Sequence, residues 1–73
     1  MKKLYFLQHI ETKQLACFRE DKFGEISVID YSEYDPIFCH SNHSDIAAVL
    51  EGNHIYIWST LRKQNYQIIE RTL

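Results

Sequence analysis

Residues that interrupt regular structure are scarce in this chain, which has two glycines and one proline among 73 residues. That scarcity argues against collagen-like or linker-like character. The 45% of apolar and 14% of aromatic residues supply the bulk that a disordered chain lacks. Cysteine is also scarce. Cys17 and Cys39 are too few for the disulfide framework of a small secreted scaffold, so the reading is a cytoplasmic protein with free thiols. Long hydrophobic runs are missing as well. The N-terminal run Leu4-Tyr5-Phe6-Leu7 meets Gln8 and His9, short of the ~7–15 apolar residues of a signal-peptide core. No segment approaches the ~20 apolar residues of a membrane span. A glycine-rich phosphate loop, a serine nucleophile elbow and a GKS or GKT box are all absent.

What is present fits a single domain over residues 1–73. A chain of this length has room for one core, and it buries only ~60% of the surface that its unfolded form exposes. The net charge is −2, unevenly spread. Residues 1–19 carry +3, residues 20–51 carry −7 and residues 52–73 carry +2. So acidic a middle segment steers encounters towards basic partners, even with a total near zero.

Period-two alternation marks a first strand over residues 3–10, with Leu4, Phe6 and Ile10 on one face and Tyr5 and Leu7 on the other. The polar Glu11-Thr12-Lys13 turns the chain into a second strand over residues 14–20, giving a hairpin. Asp21-Lys22-Phe23-Gly24 is the next turn, and residues 25–31 form a third strand through Ile26, Val28 and Ile29. Residues 32–40 read as irregular because Pro36 cannot donate to a sheet ladder. A short helix is expected over residues 43–51, capped by Asn42 or Ser44, with Ile46, Val49 and Leu50 as its apolar stripe and Gly52 as its left-handed stop. Residues 54–60 and 66–71 complete a last hairpin around a polar loop.

The order β-β-β-α-β-β defines an α+β domain, a mostly antiparallel sheet with one short helix packed on one face. An OB-like, partly closed barrel has the same order of elements and is the alternative. The first and fourth strands are apolar on both faces, unlike a sheet with one wet face. The second face must therefore be covered, by the 32–40 segment, by barrel closure, by a second copy or by a partner.

Four groups of residues carry chemical potential. Cys39, His40 and His43 have spacing that can meet zinc, yet no second local ligand pair completes a four-ligand site. Cys39 with a nearby histidine would be a thiol nucleophile, but nothing along the chain supplies the orienting group. Tyr56, Trp58 and Tyr66, with Arg62 and Lys63, have the aromatic and cationic make-up of an OB-like single-stranded nucleic-acid binder, against the negative net charge. Asp30, Tyr31, Glu33, Tyr34 and Asp35 form an acidic, tyrosine-bearing segment suited to a basic protein partner. The preferred reading is a small non-enzymatic protein-binding domain without cofactor, self-associating as a homodimer or acting as an inhibitor or adaptor of a larger protein.

Overall fold

The computed structural model describes residues 2–73. In chain order the elements are β1 (Lys3–His9), β2 (Cys17–Glu20), β3 (Ile26–Ile29), β4 (Cys39–His40), α1 (His43–Glu51), β5 (Ile57–Ser59), a 3-10 turn (Lys63–Asn65) and β6 (Tyr66–Thr72). The α+β class, the element order and the mostly antiparallel pairing are those expected, with the two-residue β4 added. The strands form two three-stranded sheets, β4-β1-β6 and β2-β3-β5, rather than one five-stranded sheet or barrel.

Two expected hairpins are replaced by longer-range pairings. β1 meets the following segment at one bridge, Gln8↔Leu15, and pairs along its whole length with β6, from Lys3↔Thr72 to His9↔Tyr66. β5 does not pair with β6. It lies parallel to β3, in the register Ile26↔Ile57 and Val28↔Ser59. Length decides the competition. β1 offers β6 seven residues of ladder and β5 offers three, and pairing with β1 carries Tyr66 and Ile68 onto the core. A parallel pair needs a crossover connection, and the chain through β4 and α1 provides it.

The 36–40 segment joins the sheets. Pro36 accepts the Phe18 N–H through its carbonyl at 3.0 Å, so its missing donor costs nothing there. Ile37 bridges Cys17, and the Phe38 N–H bonds to the Ala16 carbonyl at 2.9 Å. Cys39 and His40 then pair with Phe6 and Tyr5 of β1. Ala16 in turn donates to the Leu7 carbonyl at 2.8 Å. The segment thus passes from the edge of one sheet to the edge of the other and drives the Phe38 ring inward.

The core contains Leu7, Ala16, Val28, Phe38, Ile46, Val49 and Tyr66, with Tyr5, Phe18, Leu50, Ile57, Leu61 and Ile68 packed around it. Tyr5 and Leu7 therefore face inward. Leu4 and Phe6 are half-buried, and the Arg71 guanidinium lies 6.0 Å from the Phe6 ring centroid. α1 supplies Ile46 and Val49. Its first turn is capped by the Asn42 side chain, which accepts from the Ser44 and Asp45 N–H groups at 2.9 and 3.3 Å. Gly52 ends it at φ 78°, where the Gly52 and Asn53 N–H groups bond to Val49 and Ala48. A side chain at Gly52 would be strained in that left-handed conformation.

Phe38→Ala should remove about 3–5 kcal/mol by leaving a core cavity, against about 1 kcal/mol for loss of the Asn42 cap in Asn42→Ala. Urea unfolding followed by circular dichroism measures both. A Phe38→Ala loss no larger than that of Asn42→Ala would contradict the role given to the 36–40 segment.

Candidate functional site

An open cleft of about 350 Å³ lies where three connections meet. The end of β1 and the turn after it contribute His9 and Gln14, the residues just after β3 contribute Asp30 and Tyr31, and the β5–β6 connection and the start of β6 contribute Arg62 and Tyr66. Tyr66 begins β6 and is only 6% exposed, and its hydroxyl donates to Asp30 Oδ1. Burial, and after it the hydrogen bond to Asp30 and that carboxylate's charge, hold the phenol well above the ordinary tyrosine value. The His9 ring meets the Tyr66 ring edge-on, with centroids 5.1 Å apart.

The turn that shapes this rim is built by His9. Its Nδ1 accepts the Glu11 and Thr12 N–H groups at 3.2 and 3.3 Å, which assigns the remaining ring proton to Nε2. Lys13 then adopts φ 64°, an uncommon conformation for a residue with a side chain, and sets Gln14 against the cleft. Arg62 makes no ion pair among the described residues.

A second surface is apolar. Phe23, Ile55, Tyr56 and Trp58 are exposed at 79%, 82%, 78% and 63%. Because β3 and β5 run parallel, the β2–β3 turn carrying Phe23 lies at the same end of the sheet as the residues leading into β5. Trp58 pairs with Ser27, and Ser27 with Arg19, so all three share the face opposite Val28 and Phe18. Arg19 Nε binds Asp35 Oδ2 at 3.1 Å, which draws the loop bearing the exposed Tyr34 towards this outer face. The turn is acidic in sequence, with Asp21 and Glu25 against Lys22, whose Nζ lies 5.2 Å from the Phe23 ring centroid.

His40 and His54, like His9, serve the backbone. His40 Nδ1 accepts from Asn42 N at 3.1 Å, and His54 Nδ1 accepts from Tyr56 N and Ile57 N, both at 3.1 Å. The His54 Nε2–H is left to donate to Asp45 Oδ1 at 3.1 Å, tying the start of β5 to the first turn of α1. His43 packs edge-on against Tyr5, and Cys39 is exposed. No group of three or more His, Cys, Asp or Glu side chains is placed to share a metal ion among the described residues. Cys17 is buried, and its Sγ lies 3.4 Å from the Ser32 nitrogen that donates to it.

The acidic segment named from sequence is divided in space. Asp30 and Tyr31 line the cleft, Asp35 is held by Arg19, and Glu33 and Tyr34 are exposed. The aromatic and basic set divides as well. Tyr56 and Trp58 are exposed around β5, whereas Tyr66 is buried and has no open face for stacking. Arg62 lines the cleft, and Lys63 binds Glu51 at 2.6 Å. His9, Gln14, Phe23 and Ile55 were not among the residues singled out from sequence. For Phe23 a signal existed, a large apolar side chain at the tip of a polar turn. No known protein family, curated protein or solved structure matches the chain.

A spectrophotometric titration of the phenols tests the Tyr66 environment. Tyr66 should ionise above the ordinary tyrosine range, and that phase should be absent from the curve of Tyr66→Phe. Below pH ~10 the phenol is protonated both folded and unfolded. Above it the unfolded chain ionises first, so stability should fall as pH climbs past ~10. The lack of any phase above the ordinary tyrosine range that disappears in Tyr66→Phe would contradict the assignment.

Proposed function

We propose that this chain is a small protein-binding module that docks a basic, apolar-bearing segment of a partner through the surface of Phe23, Ile55, Tyr56 and Trp58. The observation carrying this reading is the concentration of large, highly exposed apolar side chains at one end of the β2-β3-β5 sheet. Single exposed apolar residues are ordinary on a protein surface. Contiguous ones rimmed by polar groups mark interaction sites.

Tyrosine and tryptophan suit such a role, because each offers a large contact area while immobilising few torsions. Among the described residues β5 pairs only with β3, so it is an edge strand, the kind of element to which a partner's strand can add.

The rim chooses the partner. Asp21 and Glu25 stand in the same turn as Phe23, with Glu33 beside Tyr34 in the loop that Asp35 anchors. Two copies meeting through this surface would bring like charges together, which disfavours the homodimer and favours a basic ligand. Burying four such side chains stabilises by about 6–12 kcal/mol before the ~4–15 kcal/mol cost of association. Apolar contact alone therefore gives weak binding, and the acidic rim supplies the selectivity.

Trp58 is the single tryptophan, so its fluorescence reports on the surface directly. An amphipathic peptide of lysine and leucine should shift its emission to the blue, and added salt should weaken the effect. A glutamate and leucine peptide of the same length should leave it unchanged. Tyr56→Ser combined with Phe23→Ser should abolish the response while changing folding stability by less than about 0.5 kcal/mol, as for exposed sites generally. Equal responses to the two peptides, or none to either, would contradict the reading.

A further inference from the structure

The cleft beside Tyr66 is separate from the docking surface, and its chemistry differs. Its walls are polar, and several of its side chains have hydrogen-bonding capacity that the fold leaves unused. The Gln14 and Asn65 carboxamides, the Arg62 guanidinium and the Tyr31 hydroxyl make no side-chain hydrogen bond among the described residues. The His9 Nε2–H is likewise uncommitted, since the ring's two backbone bonds both fall on Nδ1.

These groups come from three connections that the fold itself fixes in place. Ile10 N donates to the Asn65 carbonyl at 2.9 Å, and Asn65 N to the Arg62 carbonyl at 2.9 Å, so the 62–65 turn is pinned to the β1–β2 turn. The Tyr66 hydroxyl pins Asp30 to the start of β6. The unused groups are therefore presented on a preformed frame, and a cleft of about 350 Å³ has the size of a small-molecule site.

From this donor and acceptor set we infer that the cleft binds a free mononucleotide. Arg62 and the His9 Nε2–H supply cationic and neutral donors for a phosphate. The Gln14 and Asn65 carboxamides pair a donor with an acceptor, the arrangement that reads the edge of an adenine ring. Tyr31, 45% exposed at the rim, offers a face for a base. Asp30 has a second carboxylate oxygen to accept a ribose hydroxyl. Among the described residues Arg62 is the one permanently cationic side chain lining the cleft, and the chain carries a net charge of −2. A single phosphate has Arg62 and the His9 Nε2–H as donors, whereas a polynucleotide adds phosphates that meet no further cation in the cleft.

Titration of the ¹⁵N-labelled protein with adenosine monophosphate, read by amide chemical shifts, is the test. Shifts should concentrate at His9, Gln14, Tyr31 and Asn65, and the Trp58 indole signal should stay in place, so this outcome is independent of the docking surface. Arg62→Ala should weaken binding by about tenfold or more, the effect of losing a charged hydrogen bond. Asn65→Ala should weaken the mononucleotide and leave inorganic phosphate unaffected. No shift in the cleft at millimolar nucleotide would overturn the inference. So would equal affinity for phosphate alone, or affinity that rises with the length of an oligoadenylate.

Discussion

The Leu7 carbonyl accepts the Ala16 N–H, and the Ala16 carbonyl accepts the Phe38 N–H. Through this relay β1, the start of β2 and the 36–40 segment share one backbone seam, and two short sheets share one core. The side chains at the seam follow from it. Ala16 is fully buried between neighbours that approach closely, while Leu7 and Phe38 turn into the interior beside Ile46 and Val49. A domain of this size has little apolar area to spare, so the seam matters more than any single strand pair. It also explains how strands apolar on both faces are accommodated. The inner face meets the helix and Phe38, and the outer face of β1 is half-covered with Arg71 over Phe6.

With the strands held in this way, the connections and strand ends carry most of the residues of the two candidate surfaces. Three of the four histidines use Nδ1 to accept backbone N–H groups two or three residues ahead, a job more often done by Asp or Asn. That use removes one ring nitrogen of each from metal chemistry and gives the turns their shapes. His9 shapes one wall of the polar cleft. His54 sets the residues that lead into β5, and with them Ile55 and Tyr56 of the apolar surface. The two surfaces thus draw on the same local device at opposite ends of the chain.

Much of the fold was legible in the sequence because local signals marked it. Asn42 or Ser44, the Ile46/Val49/Leu50 stripe and Gly52 mark the helix, which Asn42 caps, and the alternation of residues 3–10 locates β1. Pairing was less legible. The segments around residues 54–60 and 66–71 have hairpin spacing, but a hairpin signal does not register that β1 offers β6 a longer ladder. The candidate site was legible only as parts. Asp30 and Tyr31 had been grouped with the acidic segment and Arg62 and Tyr66 with the aromatic hairpin, and it takes the β1–β6 pairing to bring all four around one cleft. Nothing local to His9 or Gln14 marks them. Of Cys39, His40 and His43, only His40 is tied to the backbone, through the Asn42 N–H, while His43 packs against Tyr5, and nothing in their spacing foretells either contact.

The measurement that tests the account most directly is native-state amide hydrogen exchange at Ala16 and Phe38. If the seam holds the two sheets in one cooperative unit, both amides exchange only through global unfolding, with protection equal to that of the β1–β6 ladder. Fast exchange at Ala16 and Phe38, while β1 and β6 remain protected, would mean that the sheets open independently, and the shared core described above would be contradicted.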